Sequence, residues 1–188
     1  MQITKLHEDI YEVADFLTKQ ELKEVFEIIK NISEQDWFSE DTFLNQDQAN
    51  FWYGKTIDFE GDTIFPVINK KIKDLFESFS MYPDNTCLQR YEPGQSIKYH
   101  KDVWNVATPL YVSYGVLLYY NDDYLGGELD YEDIGLVIKP KENSLYIHGG
   151  NILHGSRPVV GNRSRYFSTA FVYGTKDEPA KLKKELFN

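Results

Sequence analysis

The chain has 188 residues, which fits one domain large enough to bury a core without help from a disulfide or a metal. Its 20 Lys and Arg against 30 Asp and Glu give a net charge of -10, which argues against a protein that binds nucleic-acid phosphates. A single cysteine, Cys87, excludes an internal disulfide and a cysteine-rich zinc site, and it suits a reducing compartment.

The N-terminal sequence has no basic segment followed by an apolar stretch, so we expect no export signal. The longest apolar runs are only a few residues, too short to cross a membrane. We therefore expect a cytoplasmic protein without a membrane or nucleic-acid partner. The sequence leaves the oligomeric state open.

The first 82 residues contain two helical patterns. Apolar side chains recur at three- and four-residue spacing from Leu22 to Ile32, and Thr18 with Glu21 predicts a capping box at the start of this helix. A second pattern extends from Val67 to Phe79, directly after Pro66. Both helices are interpreted as a packing layer. The polar and aromatic stretch between them predicts a loop.

From about residue 86 the pattern changes to short segments rich in β-branched and aromatic residues, separated by Gly, Pro, Asn and Asp. These segments are CLQRY, YVSYGVLLYY, GELDY, GLVIKP, SLYIH and RYFSTAFVY. Six or more such strands predict a sandwich or a barrel. We therefore predict a single, mainly β domain with supporting α-helices (α+β): a helical support region over 1–82, a β core over 83–175, and a charged tail or short helix over 176–188.

A possible metal site is indicated by His100 and Asp102, because side chains two residues apart on a strand project from the same face. His154 follows 52 residues later, beyond several strands, and a barrel would bring it across to this pair. Two histidines and one carboxylate on one face of an ion form the facial triad of non-haem Fe(II) oxygenases. The pattern is weak in isolation, since a surface histidine near an aspartate is common.

The surroundings of this pattern resemble a known family. RYEPGQSIKYHKD, VLLYYNDDYLGGELDY, LVIKPKENSLYIH and ILHGSRPVVGNRSRYFSTAFVYG, in this order, resemble the 2-oxoglutarate- and Fe(II)-dependent dioxygenases of the prolyl-4-hydroxylase-like branch. The resemblance covers roughly residues 87–174. It implies a double-stranded β-helix, or jelly roll, preceded by an N-terminal helical layer.

The resemblance also implies roles for individual residues. His100, Asp102 and His154 would be the iron ligands, and Arg165 in RYFSTAF would bind the far carboxylate of 2-oxoglutarate. A guanidinium suits this role because it forms two parallel charge-assisted hydrogen bonds with a carboxylate. Arg163 remains an alternative anchor, since it lies nearer the family's usual spacing from the distal histidine.

Two tyrosines are further candidates for the cosubstrate site. Tyr119 resembles a position whose phenol contacts the same carboxylate, and Tyr91 resembles a tyrosine near the cosubstrate. Packing in the core, with the hydroxyl satisfied there, is the alternative for both residues. Gly126 and Gly127 match the family's turn, and we interpret them as backbone requirements. His148 is not at a ligand position and is expected to have a structural role or to lie at the pocket edge.

The activity implied is hydroxylation of a substrate C–H bond, with 2-oxoglutarate and O2 converted to succinate and CO2. Fe(II) would be the metal, 2-oxoglutarate the cosubstrate, and ascorbate an additional candidate cofactor. By analogy with the branch, the expected substrate is a prolyl residue in a peptide or protein, with a small molecule as the alternative. Aromatic residues over 38–65 would form a lid or fill the gap between helices and barrel.

Three other functions stay open. An oxygenase that demethylates nucleic acids would use the same triad, but the acidic balance disfavours it. A non-catalytic jelly roll or cupin-like protein with a structural metal would need no arginine anchor. A structural jelly roll would bind neither metal nor cosubstrate.

Overall fold

The computed structural model describes residues 2–39, 50–52, 64–77, 80–81, 87–102 and 110–187. Within these ranges the strands are β1 (Gln2–His7), β2 (Ile10–Ala14), β3 (Phe38–Ser39), β4 (Asn50–Trp52), β5 (Phe76–Glu77), β6 (Ser80–Met81), β7 (Cys87–Tyr91), β8 (Ile97–His100), β9 (Leu110–Tyr119), β10 (Leu125–Gly126), β11 (Leu129–Tyr131), β12 (Leu136–Ile138), β13 (Ser144–Gly149), β14 (His154–Ser156), β15 (Val159–Val160), β16 (Arg165–Thr175) and β17 (Lys181–Leu182).

Two helices and three short 3-10 helices complete the secondary structure of the described ranges. The helices are α1 (Lys19–Asn31) and α2 (Ile64–Lys73), and the 3-10 helices are Glu34–Asp36, Glu132–Ile134 and Lys184–Phe187. No helix in these ranges has the length and the apolar character that a membrane span requires.

Helix α1 begins as the sequence predicts. The backbone N–H of Glu21 donates to the Thr18 hydroxyl at 3.2 Å, and the backbone N–H of Thr18 donates to the Glu21 carboxylate at 2.7 Å. The predicted capping box is therefore confirmed.

Helix α2 begins before Pro66 rather than after it. Proline is tolerated there because the first N–H groups of a helix have no intrahelical partner. The end also differs from the predicted pattern. Leu75 and Phe76 lie beyond the helix, although both are buried.

The strands form a jelly roll of two main antiparallel sheets. The larger sheet has the order β1-β2-β13-β9-β16-β7-β4-β3, with β6 also pairing with β16. The smaller sheet has the order β12-β11-β14-β8. The predicted double-stranded β-helix is thus confirmed, and β7, β9, β13 and β16 fall where the segments rich in β-branched and aromatic residues predict strands.

The larger sheet has different partners on its two faces. On one face, Leu118 and Leu145 pack with Val25 of α1 and Ile68 of α2 in a hydrophobic core. On the other face, a second cluster faces the smaller sheet and is rich in tyrosine; it includes Tyr91, Tyr119, Tyr124, Tyr131 and Tyr146. Side chains of successive strand residues point to opposite faces, so one sheet serves both cores.

The N-terminal region differs from the expected helical layer. Ile10–Ala14, which lies within the helical support region predicted over 1–82, is a strand that pairs with β13. Pairing buries Ile10 and Val13 completely, and tertiary pairing of this kind overrides local helix propensity. At the other end of the chain, the segment predicted as a tail or short helix contains β17 and a 3-10 helix.

The proposed aromatic lid over 38–65 lies largely outside the described residues. Trp37, directly before this segment, is buried and lies against the guanidinium of Arg90, with 4.6 Å from the guanidinium carbon to the ring centroid. Trp37 therefore packs in the core beside the sheet.

Candidate functional site

The smaller sheet brings together the three residues that the sequence nominates as metal ligands. His154 at the start of β14 lies opposite His100 at the end of β8. Asp102 follows β8, and its Oδ1 lies 3.5 Å from His100 Nε2 and 3.8 Å from His154 Nε2. One ligand atom from each residue lies within 4.8 Å of the other two. Two imidazoles and one carboxylate thus converge on a single point.

Backbone carbonyls orient both imidazoles. His100 Nδ1 lies 2.7 Å from the carbonyl oxygen of Lys98, and His154 Nδ1 lies 3.0 Å from that of Ile152. Because a carbonyl only accepts, each Nδ1 carries the hydrogen and each Nε2 keeps its lone pair directed at the cluster. Such outer hydrogen bonds are typical of metal-binding histidines.

The protonation states of the cluster are those that metal ligands need. Burial opposes ionisation of Asp102, but the hydrogen bond from His148 and the neighbouring His100 and His154 imidazoles outweigh it, so the pKa of this carboxyl lies well below its usual range. Burial, with the neighbouring His148 imidazole, lowers the pKa of His154 to about 3. The pKa of His100 is raised: burial lowers it, but the neighbouring Asp102 carboxylate and the Lys98 carbonyl together raise it more. At neutral pH Asp102 is therefore ionised and His154 neutral.

Arg165 lies in the interior, between the two sheets. Its side chain is 1% exposed; one terminal nitrogen donates to the carbonyl of Gly127 at 2.8 Å and the other to the Ser156 hydroxyl at 3.3 Å. Its Nε has no hydrogen-bond partner, and no carboxylate of the described residues lies within ion-pair distance of it. A buried cation without a counter-charge is costly and indicates a site for an anion.

Tyrosines surround this guanidinium. Its central carbon lies 4.4 Å from the ring centroid of Tyr91 and 5.8 Å from that of Tyr119. The hydroxyls of Tyr119 and Tyr124 are buried and have no partner in the described part of the chain. Burial raises the pKa of Tyr91 and of Tyr119 to about 12, against the opposing charge of Arg165. At neutral pH these phenols are protonated donors.

Arg163, the alternative anchor, lies at the surface. Its side chain is 68% exposed, and its guanidinium is 3.7 Å from the carboxylate of Asp123. Strand β16 begins at Arg165, two residues later, so only the later arginine is carried between the sheets. Gly126 and Gly127 both have positive φ, +65° and +66°, which confirms the interpretation of this pair as a backbone requirement.

The arginine and the histidine cluster are neighbours through β14. Ser156, which accepts from Arg165, stands two residues after His154 on this strand. Two residues span about 7 Å along a strand. Arg165 therefore contacts the same short strand that carries the His154 ligand.

Sequence reasoning missed Tyr124 and Tyr131, and it expected only a structural or pocket-edge role for His148. The buried hydroxyl of Tyr124 has no partner among the described residues. His148 and Tyr131 form a hydrogen-bonded chain that ends on Asp102. One signal was available, a glycine at position 115 in the middle of a strand. Trp104 and Asn105 closely follow the His100 and Asp102 pair in the sequence, which suggests a place at the substrate entrance, but both lie outside the described residues.

Comparisons of the sequence found no matching family model and no matching curated protein. Comparisons of the structure found similar solved proteins. The viral collagen prolyl hydroxylase from Paramecium Bursaria Chlorella virus-1, solved with 2OG, is 16% identical with a TM-score of 0.65, over 89% of this chain and 97% of that one. A prolyl hydroxylase from Trichoplax adhaerens, in complex with a hypoxia inducible factor peptide fragment, is 16% identical with a TM-score of 0.67, over 88% and 83%.

A further similar structure is an oxidoreductase of the 2OG-Fe(II) oxygenase family from Burkholderia pseudomallei. It is 11% identical with a TM-score of 0.64, over 88% of this chain and 86% of that one. At these identities the similarity concerns the fold. The chain has the jelly-roll fold of prolyl hydroxylases and 2OG-Fe(II) oxygenases, with a His-Asp-His cluster between its sheets.

Proposed function

We propose that this protein is an Fe(II)- and 2-oxoglutarate-dependent dioxygenase that hydroxylates a C–H bond. The observation that carries the proposal is the buried Arg165, without a carboxylate partner in the described ranges, one strand segment away from a His-Asp-His cluster. A structural jelly roll needs neither feature. A cupin-like metal protein needs the cluster but not the buried cation.

The residues of the site fit both Fe(II) and 2-oxoglutarate. His100, Asp102 and His154 would hold Fe(II), because two imidazoles and a carboxylate suit a first-row divalent ion and leave positions open. Arg165, with the hydroxyls of Tyr119 and Tyr124, would bind the far carboxylate of 2-oxoglutarate. Bound to these three ligands, the iron would supply the redox chemistry that hydroxylates the substrate while 2-oxoglutarate and O2 become succinate and CO2.

The protein's own part is to bind, orient and exclude water. The guanidinium is held by the Gly127 carbonyl and the Ser156 hydroxyl, so it needs little reorganisation to receive a carboxylate. Tyr91 and Phe167 pack against it with centroid distances of 4.4 and 4.6 Å, which keeps the site dry.

The cofactor site is tested by an anaerobic titration with Fe(II) and then 2-oxoglutarate, followed through the visible charge-transfer band of the chelated iron. We expect the band in the natural protein, its loss in His100→Ala, and weakening in Arg165→Ala. Arg163→Ala is the matched control, since this arginine is exposed, and it should keep the band.

Each other result has a clear meaning. Loss of the band in Arg163→Ala instead of Arg165→Ala would make the anchor assignment wrong. Fe(II) binding without any band would favour the metal-binding jelly roll without catalysis. No Fe(II) binding would overturn the oxygenase proposal.

For the substrate we propose a prolyl residue in a peptide or protein. The support is the similarity to proteins named as prolyl hydroxylases, one of them solved with a peptide fragment. The test incubates proline-containing peptides with enzyme, Fe(II), 2-oxoglutarate and O2, with and without ascorbate as auxiliary reductant. A peptide that gains one oxygen atom by mass supports the proposal. Turnover with small molecules alone would favour the small-molecule alternative.

A further inference from the structure

We infer that His148 is a positioning residue that fixes the Asp102 carboxylate for the metal. It does so by holding the carboxylate oxygen that faces away from the other two ligands. The inference rests on the metal site of the proposed function and concerns a residue outside that ligand set.

The two oxygens of Asp102 have different partners. Oδ1 faces the two ligand imidazoles, 3.5 Å from His100 Nε2 and 3.8 Å from His154 Nε2. Oδ2 lies 3.1 Å from His148 Nε2. One oxygen is therefore directed at the metal position, and the other is held by a hydrogen bond across to the larger sheet.

A buried tyrosine sets the direction of this hydrogen bond. A carboxylate only accepts, so His148 Nε2 carries the hydrogen that it donates to Asp102. His148 Nδ1 is then an acceptor, and the Tyr131 hydroxyl lies 3.1 Å from it as donor. Tyr131 is fully buried and His148 is 1% exposed, so water does not compete for either bond.

A glycine makes room for this pair. Gly115 on β9 lies opposite His148 on β13, and a Cβ at this glycine would collide with the Asp102 carboxylate and the His148 ring. Glycine weakens the interior of a strand, and a close approach of other groups is the usual reason for it. On its other side the His148 ring packs on His154, with 3.9 Å between centroids.

The physical consequence concerns the number of open metal positions. A free carboxylate binds a metal through one oxygen or through both. With Oδ2 engaged by His148, only Oδ1 is available, so the positions needed for a cosubstrate and O2 stay open. Outer hydrogen bonds of this kind typically contribute 10–100-fold to metal affinity.

The test is a titration with Co(II) under anaerobic conditions, read as affinity and as the visible spectrum, which reports coordination. His148→Leu removes the hydrogen-bond donor and fills the position with an apolar side chain. We expect a 10–100-fold weaker affinity and a changed spectrum. His148→Gln keeps a donor and an acceptor, and it should restore most of the affinity and the spectrum. A residue needed only for packing would not show this rescue.

Two further variants keep the test decisive. Tyr131→Phe removes the hydroxyl that fixes the orientation of the His148 ring. It should weaken Co(II) binding and change the spectrum. This variant tests the inference if His148→Leu does not fold. Tyr120→Phe is the matched control: it removes a buried hydroxyl bonded to Ser168 at 2.7 Å, away from the cluster, and should leave Co(II) binding unchanged.

The outcomes separate the two proposals. If the natural protein binds Co(II) and the His148 and Tyr131 variants bind it with the same affinity and spectrum, the inference is wrong and the proposed function stands. If the natural protein does not bind Co(II), the metal site of the proposed function is wrong, and the inference is overturned with it.

Discussion

Two adjacent tyrosines differ in what their hydroxyl groups contact. Tyr120 packs on the helical side of the larger sheet and donates to Ser168 at 2.7 Å. Tyr119 points to the other face, toward Arg165, and its buried hydroxyl has no partner in the described chain. An unpartnered buried hydroxyl costs about 1–3 kcal/mol, so Tyr119 carries a cost that a ligand would offset.

Removing the Tyr119 hydroxyl should therefore change stability and binding in opposite directions. In Tyr119→Phe, we expect the ligand-free protein to be as stable as the natural one or more stable by about 1 kcal/mol. Affinity for 2-oxoglutarate should fall roughly tenfold or more, since a hydrogen bond to a charged group contributes about 1.5–3 kcal/mol. Urea unfolding and calorimetric titration in the presence of Mn(II) measure the two quantities.

Tyr120→Phe is the matched control for this prediction. It breaks a hydrogen bond that the folded chain makes, so it should lose about 1 kcal/mol of stability and keep the affinity for 2-oxoglutarate. Natural affinity in Tyr119→Phe would show that this hydroxyl does not contact the cosubstrate.

The chemistry of the site could be predicted from single residues, but its supporting contacts could not. His100, Asp102 and His154 are visible because metal chemistry restricts ligands to few residue types, and the chain has four histidines. The bond from His148 to Asp102 depends on the β9–β13 register, which places Gly115 beside the histidine. Local patterns carry no information on such register between distant strands.

At the scale of elements, α1 depends on interactions that a short sequence motif encodes. Thr18 caps the helix. The Glu21 carboxylate accepts hydrogen bonds from the backbone N–H of Thr18 and from the ammonium of Lys71 in α2, both at 2.7 Å. Burial opposes ionisation of Glu21, but the hydrogen bonds from Lys71 and Thr18 outweigh it, and its pKa lies below the usual 4.5. The same carboxylate therefore caps one helix and links it to the other.

The capping box should contribute measurably to the stability of the protein and to the pH dependence of that stability. Thr18→Ala should destabilise the protein by about 1 kcal/mol. Because the folded pKa of Glu21 is lowered, its contribution is complete above about pH 5 and is lost as pH falls through the folded value. Glu21→Gln should therefore lose stability at neutral pH and show a flatter pH dependence below 4.5.

Urea unfolding between neutral pH and pH 3 tests this prediction. The control is Glu24→Gln, on the same helix, where the side chain accepts a hydrogen bond from the exposed Gln20 amide at 2.9 Å. An unchanged pH dependence in Glu21→Gln would show that the capping carboxylate does not contribute.

Strand β2 shows why the sequence misplaced part of the N-terminal region. Ile10, Tyr11 and Val13 of this strand are buried, but the strand is short and lies close before the helical pattern of α1. What makes them a strand is pairing with β13, where Val13 lies opposite Leu145, more than 130 residues later in the chain. The strands of the jelly-roll core were predictable because they are rich in β-branched and aromatic residues and turn residues flank them.

At the scale of the whole molecule, the larger sheet lies between the helical core and the candidate site. Its outer face packs against α1 and α2, while its inner face presents Arg165, His148 and Tyr119 toward the smaller sheet. The ligand cluster itself lies on β8 and β14 of that smaller sheet. A metal bound there joins strands that are distant in sequence, so its binding energy should stabilise the entire fold.

A divalent metal should therefore raise the melting temperature. A ligand that binds only the folded state at 100 times its Kd stabilises by about 2.7 kcal/mol. For a chain of this size that corresponds to roughly 5–10 °C. A thermal melt with Mn(II), and again after excess chelator, measures the shift; His154→Ala should abolish it. His7→Gln is the control, because His7 is exposed and should leave the shift unchanged. An equal shift in His154→Ala would place the metal elsewhere.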